Sequence, residues 1–202
     1  MTAISDRILR RARGASARDA RVFTPKDFYD LGSRAAIDQA LSRLAKDGKL
    51  RRIGRGFYDI PRKHPMLGRP AAPDIDAVAD AIARRDNVTI VPNPLVSANR
   101  LGLTTAVPSK TDYLTDGASR TIDLDGRTLR LRHAGPKLMA LKDKPAGDVV
   151  RALHWLGRDM AGGDDIVRKL RRKLPPRVKD DLVKARPAMT AWAADIAGRI
   201  AA

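Results

Sequence analysis

Ser33, Arg34, Gln39 and Arg43 sit close together in the chain and carry the groups that recognise base edges. A guanidinium donates two parallel hydrogen bonds to guanine O6 and N7, and a glutamine amide both donates and accepts at adenine N6 and N7. Lys26 precedes them, and Lys46, Arg51, Arg52 and Arg55 follow. The chemistry of these five is charge, suited to phosphate oxygens and, for Arg55, to the minor groove. Such residues act together only if regular elements present them in one direction.

The surrounding sequence predicts those elements. Thr24-Pro25-Lys26-Asp27 reads as a helix start, with a Thr cap, Pro at the first helical position and Asp three residues after the cap. Phe28, Tyr29 and Leu31 give this helix its apolar side, and Gly32 breaks it. Ser33 caps a second helix in which Ile37, Leu41 and Leu44 share a face, and Gly48 ends it. Turning those three inward points Ala35, Gln39, Ser42 and Lys46 outward, with Asp38 and Arg43 flanking. Two strand-like runs, 50–53 and 57–60, are joined by Gly54-Arg55-Gly56. Helix, glycine turn, helix and basic hairpin is the order of a winged helix-turn-helix whose second helix enters the DNA major groove.

Charge points the same way. The 202 residues carry 40 Lys+Arg against 23 acids, all Asp, for a formal charge of +17. Residues 1–70 hold +10 of that excess, 71–147 hold +2 and 148–202 hold +5. A basic face gains affinity for nucleic acid by releasing counterions from phosphates. The absence of cysteine excludes disulfides and thiolate metal sites and suits a reducing compartment. No apolar run reaches membrane-spanning length, and the Arg-rich first twenty residues lack the core of a secretory signal. The expectation is a soluble, cytoplasmic protein that does not engage a membrane.

The expected fold class is α+β: an N-terminal winged helix-turn-helix, then a mixed α/β domain with a C-terminal helical region. A first helix is predicted over 4–13, with Arg7, Arg10, Arg11 and Arg13 outward, and a loop over 14–21. The reader domain is set at 1–62, a Pro-rich linker at 63–73, and a second domain at 74–202. That domain opens with a helix capped by Asp74, a strand at 88–91, a helix from Pro94 closed by Gly102 and a strand at 113–115. Asp125-Gly126 marks a two-residue hairpin turn that places Ile122, Leu124, Leu129 and Leu131 on one face. Helices are predicted at 149–160, 164–174, 177–185 and 187–201, with Trp155 and Trp192 in their core.

Several strings resemble the AbiEi-type antitoxins of type IV toxin–antitoxin and phage-abortive-infection systems. They are Phe28-Tyr29-Asp30-Leu31-Gly32-Ser33, Ala40-Leu41-Ser42-Arg43-Leu44, Gly48-Lys49-Leu50-Arg51-Arg52-Ile53 and Arg55-Gly56-Phe57-Tyr58. Ala98-Asn99-Arg100-Leu101-Gly102-Leu103, Val107-Pro108-Ser109-Lys110 and Tyr113-Leu114-Thr115-Asp116-Gly117 continue the similarity, which covers roughly residues 20–140. The resemblance implies a winged helix that represses its own operon; the winged-helix pattern and the +10 charge of residues 1–70 make inverted repeats in the promoter the expected operator. It also implies a C-terminal domain that neutralises a nucleotidyltransferase-like toxin encoded next door.

No catalytic constellation emerges. His64, His133 and His154 show no metal-ligand spacing, no phosphate-cradling Gly-rich loop is present, and Asp164-Asp165 and Asp180-Asp181 fit the starts of helices. No cofactor or metal is expected, and the chain is read as a non-enzyme. The run Arg168, Lys169, Arg171, Arg172 and Lys173 is either a solvated helix face or a second basic surface for nucleic acid or an acidic partner. The alternatives to a repressor–antitoxin are a stand-alone transcriptional regulator and a nucleotide-acting enzyme.

Overall fold

The computed structural model describes residues 3–62, 68, 70–106, 111–124, 126–142 and 144–202. Part of the expected linker, the string 107–110, His64 and Asp125 of the hairpin turn lie outside the described residues. The class is α+β, as expected. The elements fall into two compact units, 1–88 with 122–129, and 89–121 with 130–202.

The first unit begins with α1 (Ile4–Ala15), whose Ile8, Leu9 and Ala12 are buried. A short strand β1 (Val22–Phe23) follows, then a 3₁₀ helix (Pro25–Leu31), α2 (Arg34–Lys46), and strands β2 (Arg51–Gly54) and β3 (Phe57–Asp59). The strands form an antiparallel sheet in the order β1-β3-β2, with Val22 opposite Asp59 and Arg52 opposite Tyr58. Sequence reading missed β1, because two residues are too few for alternation to register. The predicted helix at Pro25 is a single 3₁₀ stretch, and Tyr29 is 44% exposed rather than part of its apolar side. Phe28 and Leu31 alone turn inward, joining Phe23, Ile37, Ala40, Leu41, Leu44, Leu50 and Tyr58 in one cluster. A fully buried Ile, Leu or Phe among them contributes about 1.5–3 kcal/mol relative to exposure.

Helix α3 (Ile75–Asp86) belongs to this unit, not to the second domain where its sequence position placed it. Its Asp74 cap is as predicted: the carboxylate accepts from Ala77 N at 3.2 Å. The reason for the reassignment is tertiary. Arg84 Nη2 donates to Val22 O at 2.9 Å and its Nε lies 3.6 Å from Asp27, while the Arg85 guanidinium stacks 4.6 Å above the Phe57 ring. At the edges of the Pro-rich stretch, Ala71 N donates to Arg62 O at 2.7 Å.

In the second unit, β4 (Ile90–Pro92) pairs antiparallel with β5 (Thr111–Thr115). Helix α4 (Pro94–Arg100) lies between them in sequence, capped by Asn93, whose Nδ2 also donates to Asp112 O. The hairpin β6 (Arg120–Leu124) and β7 (Arg127–His133), of which 122–129 count with the first unit, hydrogen-bonds in a sheet ordered β4-β5-β7-β6. Leu124, Leu129 and Leu131 are buried, as the predicted register requires.

Four helices close the chain: α5 (Ala146–Ala161), α6 (Asp164–Lys173), α7 (Pro176–Ala185) and α8 (Ala191–Ala201). Their apolar stripes, including Val149, Leu153, Leu170, Leu182, Ile196 and Ile200, form the unit's core. Helix α5 kinks at Gly157, whose φ of 77° favours glycine. Two expectations shift here. The last helix starts at Ala191 because residues 186–188 make a 3₁₀ turn, and Trp155 is 38% exposed rather than core.

Candidate nucleic-acid interface

The loop into α2 is fixed from both sides. Thr24 N donates to Asp27 Oδ2 at 2.7 Å, which locks the start of the 3₁₀ helix. Ser33 Oγ accepts from Ala36 N at 3.3 Å, so its first job is to cap α2. Beyond it, Ile37, Ala40, Leu41 and Leu44 are buried, and Arg34, Ala35, Asp38, Gln39, Ser42, Arg43 and Lys46 are exposed. The wheel drawn from sequence is therefore the wheel the helix adopts. Arg34 is 80% exposed and only 3.8 Å from Asp38, a surface pair worth little that leaves the guanidinium free to turn. Gln39, Arg43 and Lys46 engage no other side chain among the described residues. Gly48 ends the helix with φ 68°.

The wing places Arg52 on the exposed face of β2, between the half-buried Arg51 and the buried Ile53. Gly56 turns the hairpin with φ 76°, leaving Arg55 exposed at its tip. The structure thus brings together an open basic and amide face on α2 and two open arginines on the wing. Such a set offers bidentate donors for base edges and point charges for phosphates.

Two of the expected phosphate residues are otherwise occupied. Arg51 makes a bidentate pair with Asp59, at 2.9 and 2.5 Å, and donates to Ala71 O at 2.6 Å. It ties the wing ladder to the chain leaving it, because Asp59 lies directly opposite in the antiparallel register. Lys26 Nζ donates to Arg85 O at 3.0 Å, near the C-terminal end of α3 where a cation meets unpaired carbonyls. Neither engagement is visible in sequence, since the partners are remote or depend on register. Arg11 is likewise committed: it forks onto Asp30 with two 2.7 Å bonds, which hold that carboxyl below the usual carboxylate range.

Four residues of the second basic run make contacts within the chain while staying exposed. Lys169 Nζ reaches Gly102 O at 2.5 Å and Lys173 Nζ reaches Leu101 O at 2.9 Å, which caps the end of α4. Arg171 donates to Arg199 O, and Arg168 pairs with Asp165 at 2.5 Å. Arg172 remains exposed and without a side-chain partner among the described residues.

The other chemistry is sparse. Among the described residues, no group of three His, Cys or Asp side chains converges as a metal site, and no helix is long and apolar enough to cross a membrane. His133 Nδ1 lies 3.0 Å from Gly117 O. His154 meets Trp192 edge-on at 5.0 Å, and its buried Nε2 has no hydrogen-bond partner. Burial lowers its pKa, so the folded state favours the neutral ring. As pH falls below about 6.5 the unfolded chain takes up this proton first, and stability present above that pH declines until the folded pKa is passed. Urea midpoints at pH about 7.5 and 5.5 should therefore differ less in His154→Gln than in the unaltered chain. An equal drop in both proteins would contradict this account of His154.

A family model described as "Family of unknown function (DUF6088)" matches residues 5–181. No curated protein matches. Among solved structures, the chain is similar to the crystal structure of the RV2827C protein from Mycobacterium tuberculosis, with 15% identity and a TM-score of 0.45 over 99% of this chain and 80% of that one.

Proposed function

The chain belongs to the DUF6088 family, a family of unknown function, so its activity has to be argued from its own residues, and we propose that it is a sequence-specific DNA-binding repressor and antitoxin of the cytoplasm. The observation that carries the reading is the open face of α2, Arg34, Gln39 and Arg43, set on buried Ile37, Leu41 and Leu44 beside a wing whose Arg52 and Arg55 are exposed. Rigid presentation matters because base readers must hold their geometry while phosphates anchor the register. With Arg51 and Lys26 committed internally, the contact set narrows. Ser33, Arg34, Gln39 and Arg43 address bases; Lys46, Arg52 and Arg55 address phosphates. Inverted repeats in the promoter of the chain's own operon are the proposed operator.

The antitoxin half of the proposal rests on the resemblance of the strings over residues 20–140 to AbiEi-type antitoxins. The proposed partner is a nucleotidyltransferase-like toxin encoded beside it. Co-expression tests this half. Cells making the neighbouring gene product should stop growing, and growth should return when the full chain is supplied. Failure of the full chain to restore growth would reduce the proposal to a stand-alone regulator.

A further inference from the structure

Within the second unit, a cleft of about 530 Å³ opens between the last turn of α5 and α8. Arg158 and Asp159 line it from α5, directly after the kink at Gly157, whose non-helical φ of 77° and ψ of 166° turn the end of that helix off its axis. Helix α8 supplies Trp192, Asp195, Ile196 and Arg199, spaced i, i+3, i+4 and i+7 and therefore on one face. Ile196 is buried and gives the cleft apolar lining. Trp192 is half-buried, and packing against His154, with ring centroids 5.0 Å apart, holds its indole in place. The volume falls in the range of small-molecule sites, about 300–1,000 Å³.

The charges lining the cleft are not equivalent. Arg199 is already engaged: Nη1 donates to Gly162 O at 2.9 Å and Nη2 to Asp164 at 2.8 Å, so a carboxylate neutralises it. Asp159 and Asp195 are exposed and pair with no cation among the described residues, in a chain that carries 40 Lys+Arg against 23 acids. Asp195 stands one helical turn from Trp192 on the same face, and Asp159 joins from α5. Arg158 is unpaired too, so the open groups are two anions and one cation. An indole bordered by two open carboxylates attracts positive charge, because the ring quadrupole and the carboxylates act in the same sense.

We propose that this cleft is a binding site for a small organic cation, whose guanidinium or ammonium group lies against Trp192 and is held by Asp159 and Asp195. A guanidinium suits it best, since its plane stacks on an indole while its donors fork onto a carboxylate. None of these residues belongs to the DNA-reading set, so the site stands whether or not the chain reads DNA.

The test is a calorimetric titration of the full chain with agmatine, which carries a guanidinium and an ammonium and no acid. Saturable binding is expected. The chain has two tryptophans, so in Trp155→Phe the emission reports Trp192 alone and should change with the same midpoint. Asp159→Asn and Asp195→Asn should each weaken binding about two- to five-fold, the worth of one exposed charge pair. Trp192→Leu should weaken it at least as much. Both aspartates are exposed, so their variants should keep the circular dichroism and urea midpoint of the unaltered chain. AMP stacks on an indole but brings a phosphate instead of a cation, and should not compete. Binding of AMP with agmatine silent would overturn the proposal and assign the cleft to an anion through Arg158. Agmatine binding that all three substitutions leave unchanged would overturn it as well. So would the lack of a saturable signal up to about 10 mM, ten times a Kd of about 1 mM.

Discussion

Replacing Arg34, Gln39 and Arg43 together with Ala is expected to bring promoter affinity down to the level of scrambled DNA. Each well-placed base contact is worth about 1–3 kcal/mol, so three of them amount to at least a hundred-fold. The helix should survive the change. Its buried face of Ile37, Ala40, Leu41 and Leu44 is untouched, and Ala is the best helix former. The ion pair lost with Arg34 is exposed on both sides and contributes little. Residual binding should retain a steep salt dependence, because Lys46, Arg52 and Arg55 remain. A competition assay in which the triple variant still prefers promoter over scrambled duplex would remove α2 from the reading role.

Phe28→Ala is expected to have the largest effect on stability. Phe28 is fully buried, with its ring 5.7 Å from Phe23, in the cluster that joins α1, the 3₁₀ helix, α2 and the sheet. Truncating such a ring costs about 3–5 kcal/mol, a large part of the ~5–15 kcal/mol that keeps a domain folded. The cost should fall on the first unit. Its urea transition should move to lower denaturant, and DNA binding should be lost with it, while the core of α5–α8 unfolds as before. A shift of less than about 1 kcal/mol in that transition would mean the first unit is not organised around this ring.

The parts of this fold that are legible in sequence are those decided within a few residues. Thr24 with Asp27, Ser33 as a cap, Gly48 after α2, Gly56 at the wing turn and Asp74 before α3 each act through backbone groups close in sequence. The exposed face of α2 follows from the spacing of Ile37, Leu41 and Leu44 alone. What sequence does not reveal is decided at long range. Arg51 looks like any wing arginine until antiparallel register sets Asp59 across from it. Lys26 and Arg85 stand 59 residues apart, and Lys173 reaches back 72 residues to Leu101. Helix α3 carries the pattern of an ordinary amphipathic helix, and only Arg84 and Arg85 docking on Val22, Asp27 and Phe57 assign it to the first unit. The hairpin was predicted with the right buried face, but no local signal places Asp123 and Leu124 against Gly54. Of the nine residues proposed from sequence for DNA, seven remain open to it.

The measurement that bears most directly on the central proposal is a fluorescence anisotropy titration of the full chain against a duplex from its own upstream region. A scrambled duplex of the same composition serves as the reference, both at physiological ionic strength. A specific reader binds its operator at least about 10³-fold more tightly than unrelated DNA, and that ratio is the predicted result. Equal affinity for the two duplexes would contradict it, reducing the basic charge of the first unit to a non-specific attraction for phosphates.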